Sequence, residues 1–161
     1  MLIPNFSILN NNFDYSEFCT YLKYTDNLQK LKIRDISYNS WILVFQSISS
    51  CKSIQVLYLD FNNLNKNYAD LVNLIISNQK ISTLSLLDCD LIIDIQFINA
   101  ILINKSLLYL NLSKNKITND CIDTFSLSNL KGINIRRTGL NSKQKQQIYG
   151  KIPHLDFSFD I

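Results

Sequence analysis

The sequence predicts an α/β protein in which short parallel strands alternate with helices. Three observations lead to this prediction. Apolar residues at positions 1, 4, 6 and 11 of a motif recur every 22 to 27 residues, from Ile3 to Ile152. The residues between them are mostly polar, which is the alternation of a strand with one buried side. A stretch with helical spacing follows each of the first four strands, and alternation of strand and helix is typical of a parallel sheet.

The clearest copy of the motif begins at Leu107 and continues through Leu110, Leu112, Asn115 and Ile117. Further copies begin at Ile3, Leu28, Ile54, Ile81, Leu130 and Ile152, and the last of these is truncated. Every apolar position in the seven copies holds an apolar residue, so chance is not a serious alternative. We therefore expect a single domain over residues 1–161 that contains about six and a half repeats.

The segments after the strands carry apolar residues three and four positions apart, as on one face of a helix. The best examples are Trp41, Val44, Phe45 and Ile48 in one segment and Phe97, Ile98, Ile101 and Leu102 in another. One strand and one helix cannot bury their apolar faces alone, so we expect stability to come from stacking of neighbouring units.

The motif resembles the leucine-rich repeat, and its longer copies resemble the ribonuclease-inhibitor-like subclass of that family. The resemblance covers essentially the whole chain. It implies a right-handed solenoid with a seven-strand parallel sheet on the concave side and helices on the convex side.

Position 9 of the motif is expected to be structural, because the chain turns there and leaves backbone groups that a side-chain amide can bond. Loss of such a buried partner costs about 1 to 3 kcal/mol. The predicted structural ladder consists of Asn11, Asn62, Cys89, Asn115 and Thr138. Ile36 occupies this position in the second copy and cannot form these bonds, so we expect local irregularity there.

The predicted binding site lies on the concave face, where positions 3, 5, 7 and 8 of neighbouring strands form columns about 4.8 Å apart. Apolar and aromatic residues gather on the third to fifth strands, with charged residues around them, as in a binding hot spot. The candidate partner-binding residues are Val56, Tyr58, Asp60, Phe61, Leu87, Asp88, Tyr109, Asn111, Lys114 and Arg136. The alternative is a solvated face whose aromatic side chains partly cover one another.

These features predict a non-enzymatic protein–protein interaction module, an adaptor or assembly subunit with an unidentified protein partner. Two alternatives stay open: an inhibitor of a basic enzyme, for which Asp60 and Asp88 would dominate the affinity, and a secreted leucine-rich repeat effector. Nucleic-acid binding is less expected. The net charge is only +3, and Asp35, Asp60 and Asp88 interrupt the basic residues.

Nothing in the sequence predicts catalysis, a metal, a cofactor or a small-molecule substrate. His154 is the only histidine, and Gly132, Gly139 and Gly150 are too dispersed for a phosphate loop. Asp60 and Asp88 without further ligands would make only a weak metal site.

The compartment is predicted to be intracellular and cytoplasmic. The four cysteines form no CxxC pair and are interpreted as reduced thiols. The chain has no signal-peptide pattern and no apolar run long enough for a membrane helix, but secretion stays possible if a signal peptide has been removed. Pro4 and Pro153 share position 2 of the first and last copies, which favours protected sheet edges and a monomer over an edge-paired dimer.

Overall fold

Strands and helices alternate along the chain, so the predicted α/β class is confirmed. The structure is a computed structural model that describes residues 5–8, 15–34 and 41–155. Its strands are β1 (Asn5–Ile8), β2 (Lys30–Ile33), β3 (Val56–Tyr58), β4 (Thr83–Ser85), β5 (Ile92–Ile93), β6 (Tyr109–Asn111), β7 (Lys116–Ile117) and β8 (Gly132–Asn134). Its helices are α1 (Tyr15–Tyr24), α2 (Trp41–Ser50), α3 (Tyr68–Ser77), α4 (Ile95–Ile103), α5 (Ile122–Phe125) and α6 (Ser142–Tyr149). Single 3₁₀ turns, Asn65–Asn67 and Asn119–Cys121, precede α3 and α5.

The main sheet has six strands in the order β1-β2-β3-β4-β6-β8, and every neighbouring pair is parallel. The strands pair in the register that the motif predicts. One row of paired residues holds position 3 of the first six copies: Asn5, Lys30, Val56, Thr83, Tyr109 and Gly132. Position 3 of the seventh copy, His154, instead bridges Ile133, which is position 4 of the sixth copy. A second, two-stranded parallel sheet joins β5 to β7.

A seventh strand was expected from the last copy of the motif, but the described residues contain only its beginning. Ile133 forms an isolated parallel bridge with His154, and the backbone N–H of Leu155 donates to the carbonyl of Ile133 at 3.0 Å. Residues 156–161, which hold the rest of this copy, lie outside the described residues, as does Pro4. The described sheet therefore has six strands, and the solenoid and its handedness stay predictions.

The apolar motif positions form the core together with the inner faces of the helices. Leu57, Leu84 and Leu110 from three neighbouring strands are buried, as are Trp41 and Phe97 from α2 and α4. Successive helices pack beside one another in chain order, from α1 through α4. Among the described residues, no helix has both the length and the apolar character needed to cross a membrane.

A left-handed turn follows four of the strands at position 8 of the motif. The φ angles are 61° at Phe61, 57° at Asp88, 59° at Lys114 and 55° at Arg137. At the first three of these residues the backbone N–H donates to a carbonyl of the next unit, at 2.8 to 3.0 Å. The repeated turn therefore fixes the direction in which the position 8 side chain leaves the sheet.

The position 9 side chains of the described units are buried and bond the backbone. Asn62 donates through Nδ2 to the carbonyls of Ile33 and Leu59, both at 2.8 Å, and Cys89 donates through Sγ to that of Leu59 at 3.1 Å. Thr138 donates to the carbonyl of Ile135 at 2.8 Å. Asn11 and Ile36 lie outside the described residues.

Asn115 bonds the backbone through both polar atoms of its side-chain amide. Its Nδ2 donates to the carbonyl of Leu86 at 2.6 Å, and its Oδ1 accepts from the N–H groups of Cys89 and Leu91 at 3.0 and 3.1 Å. The side chain therefore ties its own unit to the preceding one.

A second asparagine ladder, which the sequence motif does not include, lies where helices lead into strands. Asn104 donates to the carbonyls of Ile75 and Asn78 at 2.6 and 2.8 Å, and its Oδ1 accepts from the N–H of Leu107 at 2.8 Å. Asn78 donates in the same way to the carbonyl of Ile48 at 3.3 Å. The third and fourth units are thus each held to the preceding unit at two separate places.

Candidate functional site

Two of the predicted binding residues that remain exposed, Asp88 and Lys114, lie close to Phe61. Phe61 is 41% exposed. The guanidinium carbon of Arg34 lies 5.2 Å from its ring centroid, and Nζ of Lys114 lies 5.6 Å from it. Lys114 also forms an ion pair of 3.0 Å with Asp88. These four residues, from four neighbouring units, are called the Phe61 cluster below.

Tyr58 lies on the strand before Phe61, and two lysines of β2 cover its ring. Lys32 is its direct partner in the sheet, and Lys30 precedes Lys32 by two residues on the same face. Their Nζ atoms lie 5.2 Å (Lys30) and 5.5 Å (Lys32) from the ring centroid. Tyr58 is therefore only 9% exposed, because a long side chain on an adjacent strand easily reaches across the spacing of about 4.8 Å.

Asp60 is fully buried beneath the Phe61 cluster, with an exposed fraction of 0%. Its Oδ1 accepts from the Ser85 hydroxyl at 2.5 Å and from the backbone N–H of Leu87 at 2.9 Å. Its Oδ2 is buried without a hydrogen bond and lies 4.0 Å from the guanidinium of Arg34. Desolvation raises the pKa of this carboxyl above its ordinary value, and the hydrogen bonds and the cations Arg34 and Lys32 only partly offset that effect.

A chain of hydrogen bonds continues from Asp60 across the sheet. Nδ2 of Asn111 donates to the Ser85 hydroxyl oxygen at 3.0 Å, and Oδ1 of Asn111 accepts from the Ser113 hydroxyl at 2.7 Å. Sequence reasoning missed this network. The short polar residues at positions 5 and 7 of neighbouring copies were the feature of the sequence that could have indicated this network. The side chains of Asp60, Ser85, Asn111 and Ser113 are thus held by hydrogen bonds to one another. Because Asp60 also accepts from the N–H of Leu87, the network orients the backbone below Phe61.

Three of the ten predicted binding residues are therefore not exposed as expected. Tyr58, Asp60 and Asn111 are buried. Val56, Leu87 and Tyr109 are half-buried, while Phe61, Asp88, Lys114 and Arg136 are exposed. The exposed part of the predicted site therefore contains fewer residues than the sequence predicts, and a larger share of them is positively charged.

A groove of about 540 Å³ continues the surface beyond Lys114. Its lining includes Lys114, Lys116 and Arg137 together with Asp90 and the exposed side chain of Ile92. Asp90 accepts a hydrogen bond from Asn63 at 3.2 Å. The groove therefore adds two further cations and one apolar side chain beside the Phe61 cluster.

His154 packs edge-on against the ring of Tyr149, with 5.0 Å between the ring centroids. Within residues 5–8, 15–34 and 41–155, no three metal-ligating side chains come together. The chemistry available at the site is cation–π contact, ion pairing and burial of an apolar side chain.

No protein-family model matches the chain, and no curated protein matches it. The function proposed next therefore depends on the residues and geometry of this chain.

Proposed function

We propose that this chain is a non-enzymatic interaction module of the leucine-rich repeat type, which binds a protein partner through the sheet face that carries the Phe61 cluster. The observation that carries the proposal is Phe61 itself. A large aromatic side chain stays 41% exposed near the middle of a six-stranded sheet, with charged groups around it. Exposed aromatic residues with a polar rim are typical of binding hot spots.

The backbone at Phe61 supports the same proposal. Left-handed φ angles cost roughly 1 to 2 kcal/mol for residues with a Cβ, and bulky residues are rare there. Aspartate, lysine and arginine fill the equivalent turns at Asp88, Lys114 and Arg137. A phenylalanine in this conformation with an exposed ring is unfavourable for the isolated fold, and such conformations cluster at functional sites.

The repeat type is supported by three features that recur with the motif. The strands pair in motif register, the left-handed turn recurs at position 8, and position 9 side chains bond the backbone of the preceding unit. We propose that the units continue this arrangement as a right-handed solenoid. In that arrangement the Phe61 cluster lies on the concave side.

We also propose a reducing, cytoplasmic compartment and a monomeric state. All four cysteines are free thiols. Small proteins of oxidising compartments more often pair their cysteines, so four free thiols favour the interior of the cell.

The test is affinity capture with the wild-type chain and with a Phe61→Asn variant, from cells that express the protein. Asparagine tolerates the left-handed conformation, so the variant removes the aromatic ring without straining the turn. We expect at least a tenfold loss of partner recovery. Tyr24→Asn is the matched control, because Tyr24, the last residue of α1, is an exposed aromatic residue with Lys23 over its ring and is not part of the Phe61 cluster. Equal recovery by wild type and Phe61→Asn would refute the proposal.

The inhibitor alternative has weaker support. It requires Asp60 and Asp88 to meet a basic enzyme, but Asp60 is fully buried and Asp88 is paired with Lys114. We therefore propose no second function.

A further inference from the structure

We infer that the protein binds the surface of a membrane that contains anionic lipid, through the edge at which its helices lead back into strands of the main sheet. Exposed lysines and exposed apolar side chains lie together along this edge. Its residues are different from those of the Phe61 cluster, so the inference does not depend on the proposed function.

One lysine stands in each of four successive connections from a helix to the next strand of the main sheet. All four lysines are exposed: Lys52, Lys80, Lys105 and Lys131. Because every strand of the main sheet is parallel to its neighbours, connections of this kind lie at the same edge. These four residues are called the lysine edge below.

Hydrogen bonds between neighbouring connections place these lysines side by side. The backbone N–H of Lys105 donates to the side chain of Gln79, the residue before Lys80, at 3.0 Å. The N–H of Lys131 donates to the carbonyl of Leu108, in the connection that carries Lys105, at 2.7 Å. The first two connections are joined by a backbone bond of 2.8 Å. The lysine edge therefore runs in chain order across neighbouring units.

The connections themselves supply no carboxylate to neutralise these charges. Residues 51–55, 78–82, 104–108 and 126–131 include no aspartate or glutamate. Among the described residues, none of the four lysines forms an ion pair. The connection after α1 differs, because it carries Asp26 and no lysine, so the basic edge begins only at the second connection.

The carboxylates of the described helices lie at the opposite ends. Glu17, Asp70 and Asp123 are each in the first turn of a helix, and Asp94 caps the start of α4. Asp123 also accepts a hydrogen bond from Gln147 of α6. Negative charge thus collects where the helices begin, and positive charge collects beyond their ends.

Stabilisation of the helix ends accounts for part of this pattern but not for the apolar side chains beside it. Helix C-termini favour cations, and Nζ of Lys105 donates to the carbonyl of Leu102 at 2.9 Å. Large apolar side chains that are 37% to 73% exposed stand in the last turns or just beyond them: Tyr24, Ile76, Ile103 and Leu127. Their exposure to water is unfavourable, whereas the boundary between headgroups and acyl chains buries such side chains.

The chemistry of the edge favours lipid over nucleic acid. Single-stranded nucleic acids stack their bases on aromatic side chains, but Ile76, Ile103 and Leu127 are aliphatic. Tyr24 and Asp26 line one shallow groove, and a phosphate there would meet the carboxylate. A membrane takes up aliphatic side chains, holds tyrosine at the level of the headgroups and attracts lysine through anionic lipid. Such lipid faces the cytoplasm, in agreement with the compartment proposed above.

The experiment measures co-sedimentation of the full chain with vesicles of an equimolar mixture of phosphatidylcholine and phosphatidylserine, and with vesicles of phosphatidylcholine alone. The first test variant, Lys80→Gln/Lys105→Gln/Lys131→Gln, removes three charges from the lysine edge. Its matched control removes three charges from β7 and the first half of α6, and is Lys116→Gln/Lys143→Gln/Lys145→Gln.

A second pair of variants tests the apolar side chains. Ile103→Ser/Leu127→Ser removes two of them from the edge. Ile42→Ser/Leu43→Ser is the matched control, because these residues are 51% and 55% exposed and lie at the start of α2. Circular dichroism verifies that all four variants keep the wild-type fold.

We expect wild type to bind the mixed vesicles at least about tenfold more tightly than phosphatidylcholine vesicles, and to dissociate as sodium chloride is raised. Loss of the three edge lysines should weaken binding to the mixed vesicles at least about tenfold, and the control should stay within about twofold of wild type. Ile103→Ser/Leu127→Ser should weaken binding about fivefold or more, with its control again within about twofold.

No binding to the mixed vesicles, or equal binding to both kinds of vesicle, would overturn the inference. Losses in either test variant no larger than those in its matched control would overturn it as well. Tighter binding of labelled oligothymidine than of the mixed vesicles would overturn it in favour of a nucleic acid.

Discussion

The guanidinium of Arg34 lies 4.0 Å from the carboxylate of Asp60, one strand away, yet neither group is fully satisfied. Nε of Arg34 and Oδ2 of Asp60 are both buried without a hydrogen bond. The pair therefore neutralises charge beneath Phe61 without the two parallel hydrogen bonds of an ideal arginine–carboxylate contact. Its energetics should depend on pH, since one of the two groups can accept a proton.

Substitution of Asp60 should change how stability depends on pH. Burial raises the pKa of the Asp60 carboxyl above its ordinary value of 3.8, so the folded protein binds this proton more tightly than the unfolded chain does. Protonation of Asp60 therefore adds stability as pH falls through the raised pKa, and the gain is complete below the unfolded value. The isosteric Asp60→Asn variant cannot make this gain. We expect the free energy of unfolding of wild type, relative to Asp60→Asn, to increase on acidification.

Urea denaturation of the two proteins over a series of pH values measures this difference. If the unfolding free energies of wild type and Asp60→Asn change with pH in the same way, the predicted direction is contradicted. Direct titration of the Asp60 carboxyl carbon by NMR measures the pKa of this group independently.

Loss of either asparagine ladder should destabilise the protein strongly. Asn115→Ala leaves the N–H groups of Cys89 and Leu91 without their acceptor, and Asn104→Ala does the same to that of Leu107. Unsatisfied buried groups cost about 1 to 3 kcal/mol, so we expect each variant to lose about 2 to 3 kcal/mol of unfolding free energy. The exposed Asn99 on α4 gives the control, since Asn99→Ala should stay within about 0.5 kcal/mol of wild type. A loss at Asn104 no larger than at Asn99 would show that the second ladder is dispensable.

Variants of Phe61 should separate the strain of the turn from the role of the ring. Phe61→Asn keeps a residue that tolerates φ of 61°, and we expect its unfolding free energy to lie within about 1 kcal/mol of wild type. Phe61→Val places a β-branched residue in the same left-handed conformation and should be less stable than Phe61→Asn by about 1 kcal/mol or more. Thermal unfolding followed by circular dichroism compares the three proteins. Equal melting temperatures for the two variants would mean that the turn relaxes to accept valine.

The four thiols should differ sharply in reactivity. Cys51, Cys89 and Cys121 are buried, and desolvation raises the pKa of the Cys89 and Cys121 thiols, which disfavours the reactive thiolate. Cys19, on α1, is partly exposed. We therefore expect a thiol reagent such as Ellman's to modify one cysteine rapidly in the native protein and all four in denaturant. Mass spectrometry identifies the site, and rapid native labelling of Cys89 would contradict the described burial.

The strands and their register could be predicted from sequence because the motif places buried side chains at fixed intervals. The row from Asn5 through Val56 to Gly132 pairs as the alignment of the copies predicts. A shift of one residue would turn every buried side chain outward, so the apolar positions leave only one register. Expectations about Asn11, Ile36 and Pro4 concern residues outside the described ranges.

The exposure of the site could not be predicted in the same way. Alternation shows which side of the sheet a residue faces, but it does not show what the adjacent strand places over it. Lys30 and Lys32 cover Tyr58, and Ser85 and Leu87 enclose the carboxylate of Asp60. The role of Asn104 was also hidden, because its position lies between a helix and the next copy of the motif and belongs to neither pattern.

In the central units the two ladders have the same spacing. Asn104 contacts Asn78 across 26 residues, and Asn115 contacts Cys89 across 26 residues. Duplication of a segment of that length would supply a new rung to both ladders at once and leave the junctions on either side unchanged. We therefore expect that gain or loss of a whole unit would lengthen or shorten the chain while the interior contacts at the junctions are kept.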